Sequence, residues 1–149
     1  MKIALASDHR GFKLKNTLIK FLESHGYQTV DFGTHSEDSC DYPDYVYPAS
    51  VAVRAGEADR AVLICWTGNG TVIAANKVHG IRAALAYNLK TAVLSRQHND
   101  ANVLVLPSSF LKVETIKKLV IAWLKAGFEG GRHLKRLEKI AKIEEKENV

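Results

Sequence analysis

Short apolar runs alternate with longer amphipathic ones along this chain. Lys2–Ala6, Thr29–Phe32, Ala61–Cys65, Ile81–Ala86 and Val103–Leu106 are apolar and partly β-branched. Polar, Gly or Pro residues bound them, which predicts strands. Between them, Phe12–Ser24 sets Phe12, Leu14, Leu18, Phe21 and Leu22 roughly on one helical face. His25-Gly26 closes that helix with a glycine available for a left-handed cap. Tyr45–Arg54, Val72–Lys77, Leu89–Arg96 and Val113–Lys125 read as further helices, and Gly130–Glu147 opens on Gly-Gly and then carries Arg132, Arg136 and Lys139 at helical spacing. Repeated β–α alternation predicts an α/β fold: a three-layer αβα sandwich around a parallel sheet, Rossmann-like, with an added C-terminal helix. Ligands in such folds sit beyond the carboxyl ends of the strands. Asp8 and His9 follow the first predicted strand, and Thr67 to Thr71 follow the third. With no repeat, low-complexity tract or linker, residues 1–149 read as one domain.

Composition narrows the class. At 46% hydrophobic and 25% charged, the chain is ordinary globular protein and long enough to fold without disulfide staples. Its two cysteines, Cys40 and Cys65, suit a reducing compartment. The opening run Met1–Ala6 is too short for a secretory signal, and no apolar stretch approaches a membrane span. A cytoplasmic protein without membrane partners is expected. The net charge of +5 is concentrated in Arg10–Lys20 and Lys112–Lys142. It favours anions but does not choose among nucleic acid, phospholipid and small phosphate esters.

Chemistry enters with Cys65-Trp66-Thr67-Gly68-Asn69-Gly70-Thr71, between a strand and a helix. Its glycines let backbone come close to a ligand, and N–H groups at a helix start can hold an anion or a developing oxyanion. Cys65 at its mouth is a candidate base or nucleophile; the alternative is a buried strand-end cysteine beside an ordinary turn. The loop lacks the Lys of a P-loop and the spacing of a dinucleotide fingerprint, which argues against ATP and NAD. A second polar run, Ser95 to Asn102, lies between a predicted helix and the fifth strand. There His98 could shuttle a proton and Asn99 could hold a hydroxyl, or the run could be a cap and turn. Arg132 and Arg136, four apart on a helix, could clamp a phosphate or form a solvated basic face. The six histidines show no i, i+4 pair and neither cysteine sits in a Cys-x-x-Cys, so neither metal nor cofactor is expected.

Several motifs fall in one order: Ser7-Asp8-His9, Asp31-Phe32-Gly33-Thr34, Asp41-Tyr42-Pro43-Asp44, and Cys65 followed by Thr67-Gly68-x-Gly70. Ile73-Ala74-Ala75-Asn76-Lys77, Gly80-Ile81-Arg82-Ala83, Ser95 to Asn102 and Gly130-Gly131-Arg132-His133 complete the series. From Lys2 to about Glu144 the chain thereby resembles the ribose-5-phosphate isomerase B family, which includes allose- and galactose-6-phosphate isomerases. The resemblance implies a five-stranded parallel sandwich that forms a homodimer or dimer of dimers, with active sites shared between subunits and the helix at 130–147 contacting the partner. It implies a cofactor-free aldose–ketose isomerase acting on ribose 5-phosphate and ribulose 5-phosphate through an enediolate. Cys65 would be the base, Thr67 and the N–H groups of Gly68, Asn69, Gly70 and Thr71 would stabilise the enediolate, and His98 would open the sugar ring. Asn99 and Asp8 would contact the sugar. His9, Arg132 and Arg136 would bind phosphate, the two arginines from the partner.

Two positions depart from the family pattern. Trp66 stands where glycine is usual, and tryptophan does not readily take positive φ. Ser109 stands where many members place a phosphate-binding arginine; Lys112 is a nearby cation in sequence. Both leave open another sugar phosphate as substrate. A non-catalytic sugar-phosphate sensor is a further alternative, against which stand Cys65, Thr67, His98 and Asn99. Nucleic-acid binding through the basic C-terminal helix is disfavoured, because that helix also carries Glu138, Glu144, Glu145 and Glu147 and no aromatic platform.

Overall fold

A computed structural model describes residues 1–147. Its strands are β1 (Lys2–Ser7), β2 (Gln28–Asp31), β3 (Arg60–Cys65), β4 (Ala83–Leu85) and β5 (Val103–Pro107). Its helices are α1 (Phe12–Ser24), α2 (Pro43–Arg54), α3 (Asn69–Ala75), α4 (Leu89–Asn99), α5 (Val113–Lys125) and α6 (Arg132–Glu147). All strand pairs are parallel, in the order β2-β1-β3-β5-β4.

Side-chain alternation along the strands explains the layers. Ile3, Leu5, Val62, Ile64, Leu104 and Leu106 face one way and pack with α1, α4 and α5, where Trp123 is fully buried. Ala4, Ala6, Ala61, Leu63, Val103 and Val105 face the other way, under α2 and α3. Small alanines on that face let the helices approach closely. The αβα sandwich expected from the sequence is thus present, with α6 added at one edge. Lys15, fully buried in α1, is ion-paired with Asp31 and ties α1 to the end of β2.

Several boundaries differ from the sequence reading. Helix α2 begins at Pro43 rather than Tyr45, since proline suits the first helical turn. Helix α3 begins inside the glycine loop, at Asn69. Strand β4 shrinks to three residues, and the Asn76 side chain replaces its missing neighbour: Oδ1 accepts from the Ala83 N–H at 2.8 Å while Nδ2 donates to the Ala83 carbonyl at 3.0 Å. Helix α4 runs on through Asn99, so most of the polar run placed between helix and strand is helical. Arg96 makes that extension possible by pairing with Asp100 at 2.7 Å and donating to the Ala101 carbonyl at 2.7 Å.

Candidate active site

From β1 the chain runs outward to β2, and from β3 it runs outward the other way, so the order reverses between β1 and β3. That crevice, at the strands' carboxyl ends, is where open α/β sheets bind ligands. Ser7 lies opposite Ile64 there, and Cys65 is the next residue. Cys65 alternates with Ala61 and Leu63, so its thiol faces the α2–α3 side; it is 7% exposed. The Asp8 N–H donates to the Ile64 carbonyl at 3.3 Å, and Asp8 Oδ1 accepts from the Gly11 N–H at 2.9 Å. The Asp8–His9 turn is therefore tied to the strand that carries Cys65. His9 Nδ1 accepts from the Cys40 N–H at 3.3 Å, which leaves the ring proton on Nε2.

The loop after Cys65 is shaped by Gly68, at φ +85°. A side chain there would be strained, and its Cβ would collide with Leu85. The Val72 N–H is the first to bond back into α3, to the Gly68 carbonyl at 2.9 Å. The N–H groups of Gly68, Gly70 and Thr71 therefore precede the intrahelical ladder and remain available to an oxyanion. With α3 only seven residues long, these local donors matter more than a helix dipole. The Asn69 N–H donates to Thr67 Oγ1 at 3.3 Å, and Tyr87 Oη donates to the Thr67 carbonyl at 3.0 Å.

Trp66 needs no positive φ, because Gly68 takes that role. The Trp66 indole is 47% exposed and lies beneath the Arg10 guanidinium, 4.6 Å from ring centroid to Cζ. The turn after β5 holds the Trp66 backbone: Ser109 Oγ donates to its carbonyl at 2.6 Å, and the Ser108 N–H donates to the Cys65 carbonyl at 2.9 Å. The buried hydroxyls of Ser7, Thr71 and Ser108, all at this end of the sheet, have no hydrogen-bond partner.

A second group gathers elsewhere. His98 and Asn99 occupy the last turn of α4, which leads into the amino end of β5. The Ala61 N–H donates to the Asn102 carbonyl at 3.1 Å, so this connection lies beside the start of β3. Cys65 lies four steps along the strand from Ala61, about 13 Å at the usual rise. His98 stacks on His133 of α6, with ring centroids 4.2 Å apart and planes 10° from parallel. Glu129 Oε2 is 3.9 Å from Nε2 of each ring. Arg132 and Arg136, exposed on α6, have no carboxylate partner among the described residues. Burial holds the His133 imidazole below its ordinary value, and His98, Arg132 and Arg136 push the same way against Glu129.

The single chain thus brings together Asp8, His9, Cys65, Thr67, Gly68, Asn69, Gly70 and Thr71 at the carboxyl end. It gathers His98, Asn99, Arg132 and Arg136 at the amino end, away from Cys65. His98, Glu129 and His133 offer atoms within 4.8 Å of one another that could hold a metal ion. In stacked rings, however, the nitrogen lone pairs run side by side, so sharing one ion requires a ring to turn. Between α6 and the sheet edge lies a groove of about 490 Å³, lined by Leu137, Ile140 and Ile143 on α6 and by Ile81, Ala83 and Ala84 opposite.

Sequence reasoning missed two residues here. Tyr42 sits over the loop, and a Cβ on Gly70 would meet its hydroxyl at 2.5 Å; its place within the Asp41-Tyr42-Pro43-Asp44 motif was a usable signal. Glu129 joins the histidine pair through its fold position, its N–H donating to the Gln97 carbonyl at 3.0 Å, and nothing in sequence marks it.

Comparison with known proteins covers the whole of this arrangement. A family model described as Ribose/Galactose Isomerase matches residues 3–140. Ribose-5-phosphate isomerase B of Escherichia coli (strain K12) is 47% identical over 99% of both chains. A Clostridium thermocellum ribose-5-phosphate isomerase B structure superposes with a TM-score of 0.97 at 49% identity, covering 98% of this chain and 99% of the other. The Mycoplasma genitalium ribose-5-phosphate isomerase B structure, with bound ribulose-5-phosphate, gives 0.92 at 42% identity, covering 97% and 96%.

Proposed function

The chain belongs to the ribose/galactose isomerase family, and on that premise we propose that it interconverts ribose 5-phosphate and ribulose 5-phosphate. The observation that carries this reading is the meeting of Cys65, the Gly68–Thr71 donors and the Asp8–His9 turn at the sheet's switch point, in a chain alike end to end with such isomerases.

In the proposed reaction the Cys65 thiolate removes the proton from C2 of the open-chain aldose. Electrons move onto O1, and the enediolate oxygen is held by the N–H groups of Gly68, Gly70 and Thr71 with the Thr67 hydroxyl. The thiol returns the proton to C1, and transfer of the O2 proton to O1 completes the ketose. Because the sugar is mostly cyclic, a ring-opening step precedes this: His98 gives a proton to the ring oxygen as its bond to C1 breaks, and the proton released by the anomeric hydroxyl returns to His98 through water, leaving the imidazole as it began.

His98 cannot serve the Cys65 of its own chain from the amino end of the sheet. We therefore assign it, with Asn99, Arg132 and Arg136, to the crevice of a second copy. A two-fold dimer makes such an exchange reciprocal and builds two complete sites. The groove beside α6 and the exposed Ile73, Leu134, Ile140 and Ile143 support a self-association surface there. No helix among the described residues is long and apolar enough to cross a membrane. Two free cysteines accord with a cytoplasmic setting.

Isomerisation of ribose 5-phosphate by purified protein tests the reading, with Cys65→Ala alongside. The variant should remain folded and lose roughly 10³-fold in kcat. Wild-type turnover confined to a different sugar phosphate would retain the chemistry and replace the substrate; Trp66 and Ser109 would then be its determinants.

A further inference from the structure

A phosphate ester entering the crevice brings two negative charges and needs cations to receive them. Most nearby cations are engaged. Lys13 pairs with Glu37 at 2.8 Å, and Lys15 is buried against Asp31. Arg10 is different: among the described residues its guanidinium has no carboxylate partner and no hydrogen bond, and it lies over the Trp66 ring.

Both members of this pair are anchored to the site. Arg10 follows Asp8 and His9 in the turn whose Asp8 N–H bonds the Ile64 carbonyl. Trp66 directly follows Cys65, and Ser109 fastens its carbonyl. An indole 47% exposed beside a candidate catalytic cysteine is a large apolar surface left in water. Its flat face suits a planar cation, and stacking occupies the guanidinium's π face while leaving its N–H edge free. That edge is the part that engages two phosphate oxygens at once. Ser109 adds no charge, and its hydroxyl is already committed to the Trp66 carbonyl.

Resting on the sugar-phosphate reading above, we propose that Arg10 is a phosphate-binding residue of this site and that Trp66 is its positioning residue. Trp66 supplies the platform that holds the guanidinium over the crevice rim. The rival cation is Lys112, exposed at the start of α5.

The test compares Arg10→Met, Arg10→Lys, Trp66→Phe, Trp66→Ala and Lys112→Met in steady-state kinetics with ribose 5-phosphate, using inorganic phosphate as competitive inhibitor. Arg10→Met should raise KM about tenfold and weaken phosphate inhibition to match, with the loss falling on KM more than on kcat. Arg10→Lys should recover part of the loss, because lysine keeps the charge without the fork. Trp66→Ala should approach Arg10→Met, while Trp66→Phe, which keeps an aromatic face, falls between it and wild type. Lys112→Met should match wild type. Wild-type KM and phosphate inhibition in Arg10→Met would overturn the assignment, as would the loss appearing in Lys112→Met instead. Calorimetric titration of ribose 5-phosphate separates the two readings. A wild type that binds without turnover defeats the isomerase proposal, and the affinity of Arg10→Met still decides the phosphate contact.

Discussion

Two inactive variants should restore each other when they share a dimer. Cys65→Ala removes the proposed base from the carboxyl end, and His98→Asn removes the proposed ring-opening group from the amino end. One chain holds these at opposite ends of a sheet, about 13 Å of β3 apart, with the helix end and loop adding to that. Each site of a Cys65→Ala dimer has an intact His98 but no thiol; each site of a His98→Asn dimer has the reverse. A mixed dimer has one site with both groups and one with neither. Equal amounts that exchange freely give half mixed dimers, each with one working site of two, so activity should recover to about 25% of wild type. The assay is co-expression of the variants on differently tagged chains, tandem purification to isolate the mixed dimer, and ribose 5-phosphate turnover. The purified mixed dimer should reach about half of wild-type activity per dimer. Activity equal to the mean of the two parents, in a verified mixed dimer, would refute the split site. It would require His98 and Cys65 to act within one chain.

Two further outcomes follow from local geometry and charge. Gly68→Ala should lower stability by about 1–3 kcal/mol, from positive φ and collision with Leu85, and should cut kcat by displacing the loop donors; urea unfolding reads the first, and wild-type stability would contradict it. His133 should titrate below the ordinary histidine value of about 6.5, so on acidification the unfolded chain takes up this proton first. Its contribution to stability is then full above about 6.5 and is lost as pH falls through its lower folded value. Histidine NMR titration and urea midpoints across pH ~5–8 check this, and a His133→Phe variant should show a flatter acid limb.

Much of the fold was legible in the chain because its determinants are local. Strand alternation, the Phe12–Ser24 and Val113–Lys125 helices and the glycine loop after Cys65 each depend on a few neighbouring residues. Boundaries moved where a distant or capping partner intervened: α4 lengthened through the Arg96–Asp100 pair, and β4 shortened to the part that Asn76 and β5 support. The residue types of the site were legible for the same reason, since Asp8 directly follows β1, Cys65 ends β3 and the Gly68–Thr71 loop comes shortly after it.

Only the tertiary structure decided which of those residues meet. Strand order places β1 beside β3, which joins Asp8 and His9 to Cys65 across more than fifty residues of chain. It also sends His98 to the far end of the sheet, because α4 runs antiparallel to the strands it connects. The stacking of His98 on His133, with Glu129 against both, arises only once α6 packs on α4. Trp66 likewise read as an obstacle to a positive-φ loop until the backbone assigned that strain to Gly68 and turned the indole outward beneath Arg10. Local sequence sets what each segment can become, and the packing of segments distant in sequence sets which side chains share a site.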